Sequence, residues 1–465
     1  MTKCPRNSQP PRRNIFGTDF CIFPMFARTA SLETVHGIVT PINEKKDEDI
    51  RNAIDDRKTV APTEENLDDF PDGGSRAWSI VLGTSLSAFA TFGFVNSWGV
   101  FQSYYEQTIL KNSSPSNIAW IGSVQYALIF FPGLVTGRMF DIGIFKIPFA
   151  VASLVLVATS ILTGQCTEYW QFLLCQGIAL GLACGTLFGP SMGILGHWFK
   201  KKRGLALGIN ACGSSLGGTI IPIATRRLLV EVGFPWTMRI LGFIMLFVLA
   251  FPNLLLARRL PPKRMSGGMF YFAAFKSAPY SAYCASSLIA FLGLYTVLTY
   301  IDISASAAGI DENFSFYLVS IANAASGFGR LSSGIACDKI GGINFMAPMT
   351  LVAAALTYAW PFASTKAGFV VVAIIYGFAS GVYVSCFLMP VYEMSDIHDI
   401  GRRTGMIMSI GAIGALLGPP ISGAINANTG GYTAVGYYAG SMIVVASALM
   451  VFTRQLFLKR IWGKF

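Results

Sequence analysis

Apolar stretches of about twenty residues recur roughly twelve times between Trp78 and Phe457, and most basic residues between them fall in alternate gaps. A helix rising ~1.5 Å per residue needs about twenty apolar residues to cross a ~30 Å hydrocarbon layer, where backbone amides find no water to bond. The pattern predicts an all-α membrane protein whose main solvent is lipid. Of 465 residues, 53% are hydrophobic and 13% charged, against roughly a quarter charged in a soluble domain. The net charge of +11 does not indicate a nucleic-acid partner, because the cations sit at span ends, where an inner-loop bias places them.

The spans fall near 77–101, 118–139, 147–164, 169–195, 204–229, 237–257, 278–301, 314–337, 343–362, 367–390, 405–426 and 432–457. Counted from an inner N-terminus, the inner loops hold Arg138, Lys146, Lys200 to Arg203, Arg258, Arg259, Lys263, Arg264, Lys276, Lys339, Arg402 and Arg403. The outer loops hold Lys111, Lys366 and the Arg226, Arg227, Arg239 group. This asymmetry predicts that both termini are cytoplasmic. The two glycosylation sequons, at Asn112 and Asn313, both fall in loops assigned outside.

The expected organisation is a disordered cytoplasmic tail over 1–71, a six-helix bundle over 72–257, a cytoplasmic linker over 258–277, a second six-helix bundle over 278–457, and a tail over 458–465. Residues 1–71 are polar and carry a mixed-charge run from Glu44 to Asp69. Three histidines, His36, His197 and His398, are too scattered for a metal cluster, and no cofactor is expected. Cys166, Cys175, Cys184, Cys212, Cys284, Cys337 and Cys386 lie in or at the ends of spans without a Cys-x-x-Cys pair, and read as small packing residues, not disulfides or metal ligands. No Ser-His-Asp set and no paired intramembrane carboxylates point to an enzyme.

The two halves resemble each other at an offset of 200 residues, with Gly177, Ala179, Gly181, Pro190 and Arg203 answering to Gly377, Ala379, Gly381, Pro390 and Arg403. Duplicated bundles suit a secondary transporter that holds its solute at their interface and rocks one half against the other. Between spans two and three stands Gly137-Arg138-Met139-Phe140-Asp141-Ile142-Gly143, and between spans eight and nine Gly334-Ile335-Ala336-Cys337-Asp338-Lys339-Ile340-Gly341. These segments resemble the inner-loop signature of the major facilitator superfamily, whose fold is twelve transmembrane helices in two six-helix pseudo-repeats. The likeness implies an inner gate in which Asp141 and Asp338 face the electropositive starts of helices eleven and five, with Arg138, Arg203 and Arg403 beside them.

Ahead of span one the chain reads Asp72-Gly73-Gly74-Ser75-Arg76-Ala77-Trp78, then Gly93, Asn96, Gly99, Phe101 and Tyr104. With Trp198 to Gly208 opening span five, and Gly329 to Gly334 in span eight, this resembles the monocarboxylate transporter family, particularly its fungal branch, over 72 to about 457. Arg330 lies within span eight, where a cation costs ~2.5–3.5 kcal/mol unless it meets a cavity or counter-charge. It reads as a guanidinium gripping an anionic or strongly polar solute, or else as a structural pair with Asp338 or a snorkel toward the inner surface.

The chain departs from the animal proton-lactate carriers at two positions: Asn96 stands where they have a lysine and Ser326 where they have an aspartate. Asp141, Asp338 and Glu393 sit at inner span ends, and Glu106, Glu168 and Asp302 at outer ones. Carboxylate-based proton symport is therefore not visible. Asn96, Tyr126, Asn323, Tyr295 and Tyr383 are candidate substrate contacts beside Arg330, with Phe92, Gln125, Gln176, Asn210 and Tyr376 as further cavity candidates. The expected function is alternating-access movement of a small organic anion or metabolite across the plasma membrane, as efflux. Proton-coupled uptake and solute sensing are the alternatives.

Overall fold

The computed structural model describes residues 70–259, 271–395, 399–460 and 463–464. Most of the 1–71 tail, the middle of the 258–277 linker, His36, His398 and the side chain of the Asn313 sequon lie outside the described residues. Among the described residues all regular elements are helices, and the long ones are α1 (Gly74–Ile109), α2 (Asn117–Asp141), α3 (Lys146–Thr163), α4 (Tyr169–Trp198), α5 (Arg203–Glu231), α6 (Gly233–Leu255), α7 (Ala278–Ala307), α8 (Glu312–Ile340), α9 (Gly342–Phe362), α10 (Lys366–Glu393), α11 (Ile400–Thr429) and α12 (Tyr432–Leu458). Eleven of them are long and apolar enough to cross a membrane. The exception, α8, spans 29 residues but carries Asn323, Arg330 and several serines. Its polar residues Ser320, Asn323, Ser326, Arg330 and Ser333 are buried against other helices, so they do not face lipid.

Twelve crossings return the chain to the face where it began. The Asp72 amide donates to the Trp198 carbonyl at 3.3 Å, and Lys464 Nζ donates to the Asp338 carbonyl at 2.5 Å, which fixes both ends on this terminal face. The Asp72 carboxylate also accepts from the amides of Lys200, Lys201 and Lys202, at 2.7, 2.8 and 3.1 Å. The Asp72-Gly73-Gly74 signature therefore ties the start of α1 to the loop before α5. Its φ of 46° is a strained value for a non-glycine residue.

Lipid supplies little hydrophobic drive between helices, so close backbone approach does the work. Helix α1 packs along α5, α4 along α2, and α8 along α10. The offset glycines serve matching contacts: Gly177 stands over the Ile121 carbonyl and Gly377 over the Ala322 carbonyl, while Gly181 meets Gln125 and Gly381 meets Ser326. Two seams join the first six helices to the last six, α2 with α11 and α5 with α8. At the terminal face both seams are backbone on backbone. A Cβ on Gly204 would lie 2.6 Å from the Gly334 carbonyl oxygen, and one on Gly137 would collide with the Gly401 carbonyl.

Cys337 on α8 and Cys386 on α10 are joined as a disulfide, which corrects the reading of these two as packing residues. Glycine-mediated contact between α8 and α10 brings together sulfurs 49 residues apart in sequence, a proximity that spacing cannot disclose.

Two substitutions separate the kinds of contact. Gly213 on α5 abuts the Ser85 carbonyl of α1 inside one bundle, so Gly213→Val overpacks it at a cost of about 1–3 kcal/mol. A thermal midpoint several degrees lower is expected, and an unchanged midpoint would contradict the contact. Gly137→Leu instead wedges a seam between bundles. It is expected to raise the labelling rate of a Leu388→Cys probe by an impermeant thiol reagent applied from the terminal face, and equal labelling would show that the seam does not control access.

Candidate functional site

Arg330 sits on α8, which lies against α5 of the other bundle and α10 of its own. Its side chain is 8% exposed. Nε donates to Ser326 Oγ at 3.0 Å, one helical turn back, and Nη1 donates to the Ala211 carbonyl at 2.8 Å and to Ser214 Oγ, both on α5. The guanidinium thus bridges the two bundles. Asp338, the partner expected under the structural reading, is engaged elsewhere: its carboxylate accepts from the amides of Gly204 and Leu205 at 2.6 and 2.9 Å.

Two clefts meet at Arg330. One is lined by Asn96, Tyr126, Tyr295, Leu298 and Asn323 on the side of the opposite face, and reaches Ser326 and Ser380. The other is lined by Ala88, Met192, Leu207, Asn210, Ser214 and Leu388 on the side of the terminal face. Phe92, Arg330 and Val384 belong to both linings. Arg330 therefore stands where the two clefts adjoin.

The backbone breaks where the first cleft needs side chains. Helix α1 is interrupted at Ser97, after Asn96, and α7 at Tyr295. Ser97 Oγ returns to the Gly93 carbonyl at 2.9 Å, satisfying an acceptor near the break. Tyr126 donates to Asn96 Oδ1 at 2.7 Å and its ring lies 5.8 Å from that of Tyr295, so these three close one wall across the bundles. Asn323 donates to the Gly218 carbonyl at 3.4 Å, again from one bundle to the other.

Five of the six residues proposed from sequence as substrate contacts thus converge on one cleft. Tyr383 does not line either cleft. It is 1% exposed and packed edge-on to Phe291, with ring centroids 5.8 Å apart, outside both linings. Gln125 and Gln176 are likewise buried away from the clefts, with Gln176 accepting from Tyr105, and Tyr376 donates to the Leu294 carbonyl. Asn210 and Phe92 do reach the clefts. The sequence reading overlooked Ser214 and Ala211. Ser214 lies four residues after Asn210 and seven after Leu207, a helical spacing that puts the three on one face of α5. It also overlooked Phe188, Phe130 and Phe291, which form with Phe92 and Tyr295 a ring series whose neighbouring centroids are 5.0 to 6.2 Å apart.

At the terminal face the Asp141 carboxylate accepts from the amides of Gly401 and Arg402, at 3.2 and 3.0 Å, at the start of α11. With Asp338 at the start of α5, each seam sets a carboxylate on the positive end of a helix in the other bundle. Arg203 donates to the Phe199 carbonyl at 2.9 Å and lies 5.2 Å over the Tyr392 ring. Arg403 donates to the Met394 carbonyl at 2.6 Å and lies over Tyr271 at 5.5 Å. Arg138 is half-buried in the last turn of α2. Arg402, absent from the predicted gate, is 2% exposed and paired with Asp399. Nearby, burial lowers the pKa of the Arg258 guanidinium and the Asp141 charge opposes that shift.

Asn112 is exposed in the turn between α1 and α2, on the opposite face. Among the described residues no group of three or more His, Cys, Asp or Glu side chains is placed to hold a metal ion.

Residues 84–395 and 281–460 match the sequence profile of the Major Facilitator Superfamily. The chain is 37% identical over 403 residues to the aspyridones efflux protein apdF of Emericella nidulans, spanning 86% of this chain and 82% of that one. It is 38% identical over 421 residues to MFS-type transporter 1 of an Ophiocordyceps species, spanning 89% and 91%. The fold is similar to that of FucP, a transporter of the same superfamily in the outward conformation, with a TM-score of 0.65 at 13% identity over 81% of this chain and 98% of that one. The human organic anion transporter MFSD10 gives a TM-score of 0.60 at 16% identity, over 83% and 100%. The chain belongs to the major facilitator superfamily.

Proposed function

We propose that this protein exports a small organic anion, an acidic metabolite, by alternating access, and that it stands nearest the monocarboxylate porters within its superfamily. One observation carries the reading: a buried guanidinium, bonded to helices of both bundles, lies where the two clefts meet. Nη1 is aimed at neutral acceptors that a carboxylate or enolate would outcompete, since charge-assisted bonds are about twice as strong as neutral ones. The likeness to a protein named for aspyridones efflux supports the export direction. Proton-coupled uptake lacks a carboxylate among the residues lining either cleft.

The terminal face is taken as cytoplasmic because the basic inner-loop residues gather on that face, and the plasma membrane as the site because export has to cross it. In the arrangement described here the α2/α11 and α5/α8 seams close the cytoplasmic side. Parting them around the Gly137–Gly401 and Gly204–Gly334 contacts, while the opposite side closes over Tyr126, Tyr295 and Asn323, exposes Arg330 to the cytoplasm. Substrate enters there and leaves on the reverse motion.

Hydrogen bonds to charged groups are worth ~1.5–3 kcal/mol, so Arg330→Ala is expected to lower flux of its anion about ten- to a hundredfold at unchanged surface abundance. Wild-type flux in that variant would remove the binding role. Asp141→Asn keeps an acceptor but loses the charge at the start of α11, so turnover in proteoliposomes is expected to slow about two- to tenfold. Unchanged turnover at equal abundance would refute Asp141 as a gate residue.

A further inference from the structure

The clefts contain one charge. Among the residues lining them, Arg330 is the only basic one, and no Asp, Glu, His or Lys appears in either lining. The titratable neighbours are the phenols of Tyr126 and Tyr295 in the lining and the Cys212 thiol on the α5 flank, all neutral at physiological pH by their ordinary values. Position 326, one turn before the arginine, carries a hydroxyl that accepts from Arg330 Nε. Among the described residues Arg330 forms no ion pair. The empty site therefore holds +1, and a site filled by a monoanion holds zero.

We propose that the protein is an electrogenic uniporter of ring-bearing monoanions, driven by membrane potential and not by protons. The proposal rests on the anion-carrier reading of Arg330 given above. The loaded carrier crosses with its cleft neutral, so this step moves no net charge. The empty carrier returns with the guanidinium uncompensated, and an inside-negative potential draws that positive charge toward the cytoplasm. Each cycle thus moves one negative charge outward and no proton.

The return step needs a place for the empty guanidinium, and the structure provides one. The Ala211 carbonyl and Ser214 Oγ of α5 take Nη1, while Ser326 Oγ takes Nε. A buried cation left without acceptors would trap the empty carrier and force exchange of one anion for another. The α5 acceptors hold the empty guanidinium until the α5/α8 seam parts, and Ser326 Oγ, on the same helix, stays with it through the return.

Charge number and shape follow from the same lining. A dianion would leave one negative charge unpaired in the cleft, and a neutral solute would leave the guanidinium unanswered. Phe92 and Tyr295 present rings at the cleft, backed by Phe188, Phe130 and Phe291, with Tyr126 at 5.8 Å from Tyr295. These faces accept a planar ring by offset or edge stacking.

The test uses the purified full chain in potassium-loaded or potassium-free proteoliposomes, with valinomycin to set the potential. Naphthalene-2-sulfonate, which stays anionic across the working pH range, and naphthalene-2-carboxylate serve as probes. An inside-positive potential should accumulate both. The ceiling is about fiftyfold at 100 mV, which is ~2.3 kcal/mol per charge converted at ~1.4 kcal/mol per tenfold. Reversing the pH gradient should leave sulfonate accumulation unchanged. Arg330→Lys should retain voltage-driven uptake at a lower rate, and Arg330→Gln, eluting as a folded species, should lose it. Arg330-dependent carboxylate flux that follows the pH gradient and ignores the potential would overturn uniport while leaving the anion-carrier reading intact. Absence of Arg330-dependent flux for both probes would overturn both.

Discussion

Burying a full positive charge among helices costs several kcal/mol unless its N–H groups find acceptors, and the fold meets that demand at Arg330 with a carbonyl and two hydroxyls. The acceptors come from both bundles, so the charge is shared by the surfaces that part in the proposed cycle. Glycines at 204, 208 and 334 let α5 approach α8 closely enough for Nη1 to reach across. A larger residue at any of them would hold the seam apart. The serines and Asn323 that depress the hydropathy of α8 belong to the same arrangement, because they lie on its buried side while Phe328 and Ile335 are exposed on the outer side.

Sealing at the terminal face uses a different interaction with the same logic of reversibility. Asp141 and Asp338 accept from backbone amides at helix starts, contacts worth tenths of a kcal/mol to ~2 kcal/mol each. Contacts of that size suit the proposed gate, since they hold a seam and still release it at ordinary temperature. Glycine-mediated contact holds helices together within each bundle and also lines both seams, where the Asp141 and Asp338 contacts are added to it. Asp72 extends the arrangement by tying the segment before α1 to the amides that precede α5.

Much of this was legible in the chain. A lone arginine in an apolar span, and aspartates at matching places after spans two and eight, each break a local rule that lipid enforces, and such breaks are visible without coordinates. Contacts across the seams were not. Nothing in the spacing tells that Arg330 meets Ala211 and Ser214 more than 110 positions earlier, or that Cys337 meets Cys386. Where Tyr383 points was not legible either: a polar aromatic mid-span can face a cleft or a neighbouring helix, and here its ring packs on Phe291 of α7. Consecutive arginines divide in the same way. About 100° of helical rotation puts Arg402 inward on Asp399, while Arg403 reaches the Met394 carbonyl.

The central claim is that Arg330 is the seat of an anion at the meeting point of two clefts. A structure of the full chain with 6-bromonaphthalene-2-carboxylate, read by bromine anomalous scattering or by a cryo-electron density map, tests it most directly. The account predicts the carboxylate on the Arg330 guanidinium, the ring against Phe92 and Tyr295, and Nη1 released from the Ala211 carbonyl. A ligand bound with its carboxylate elsewhere, while Arg330 keeps its bonds to Ala211 and Ser214, would contradict it.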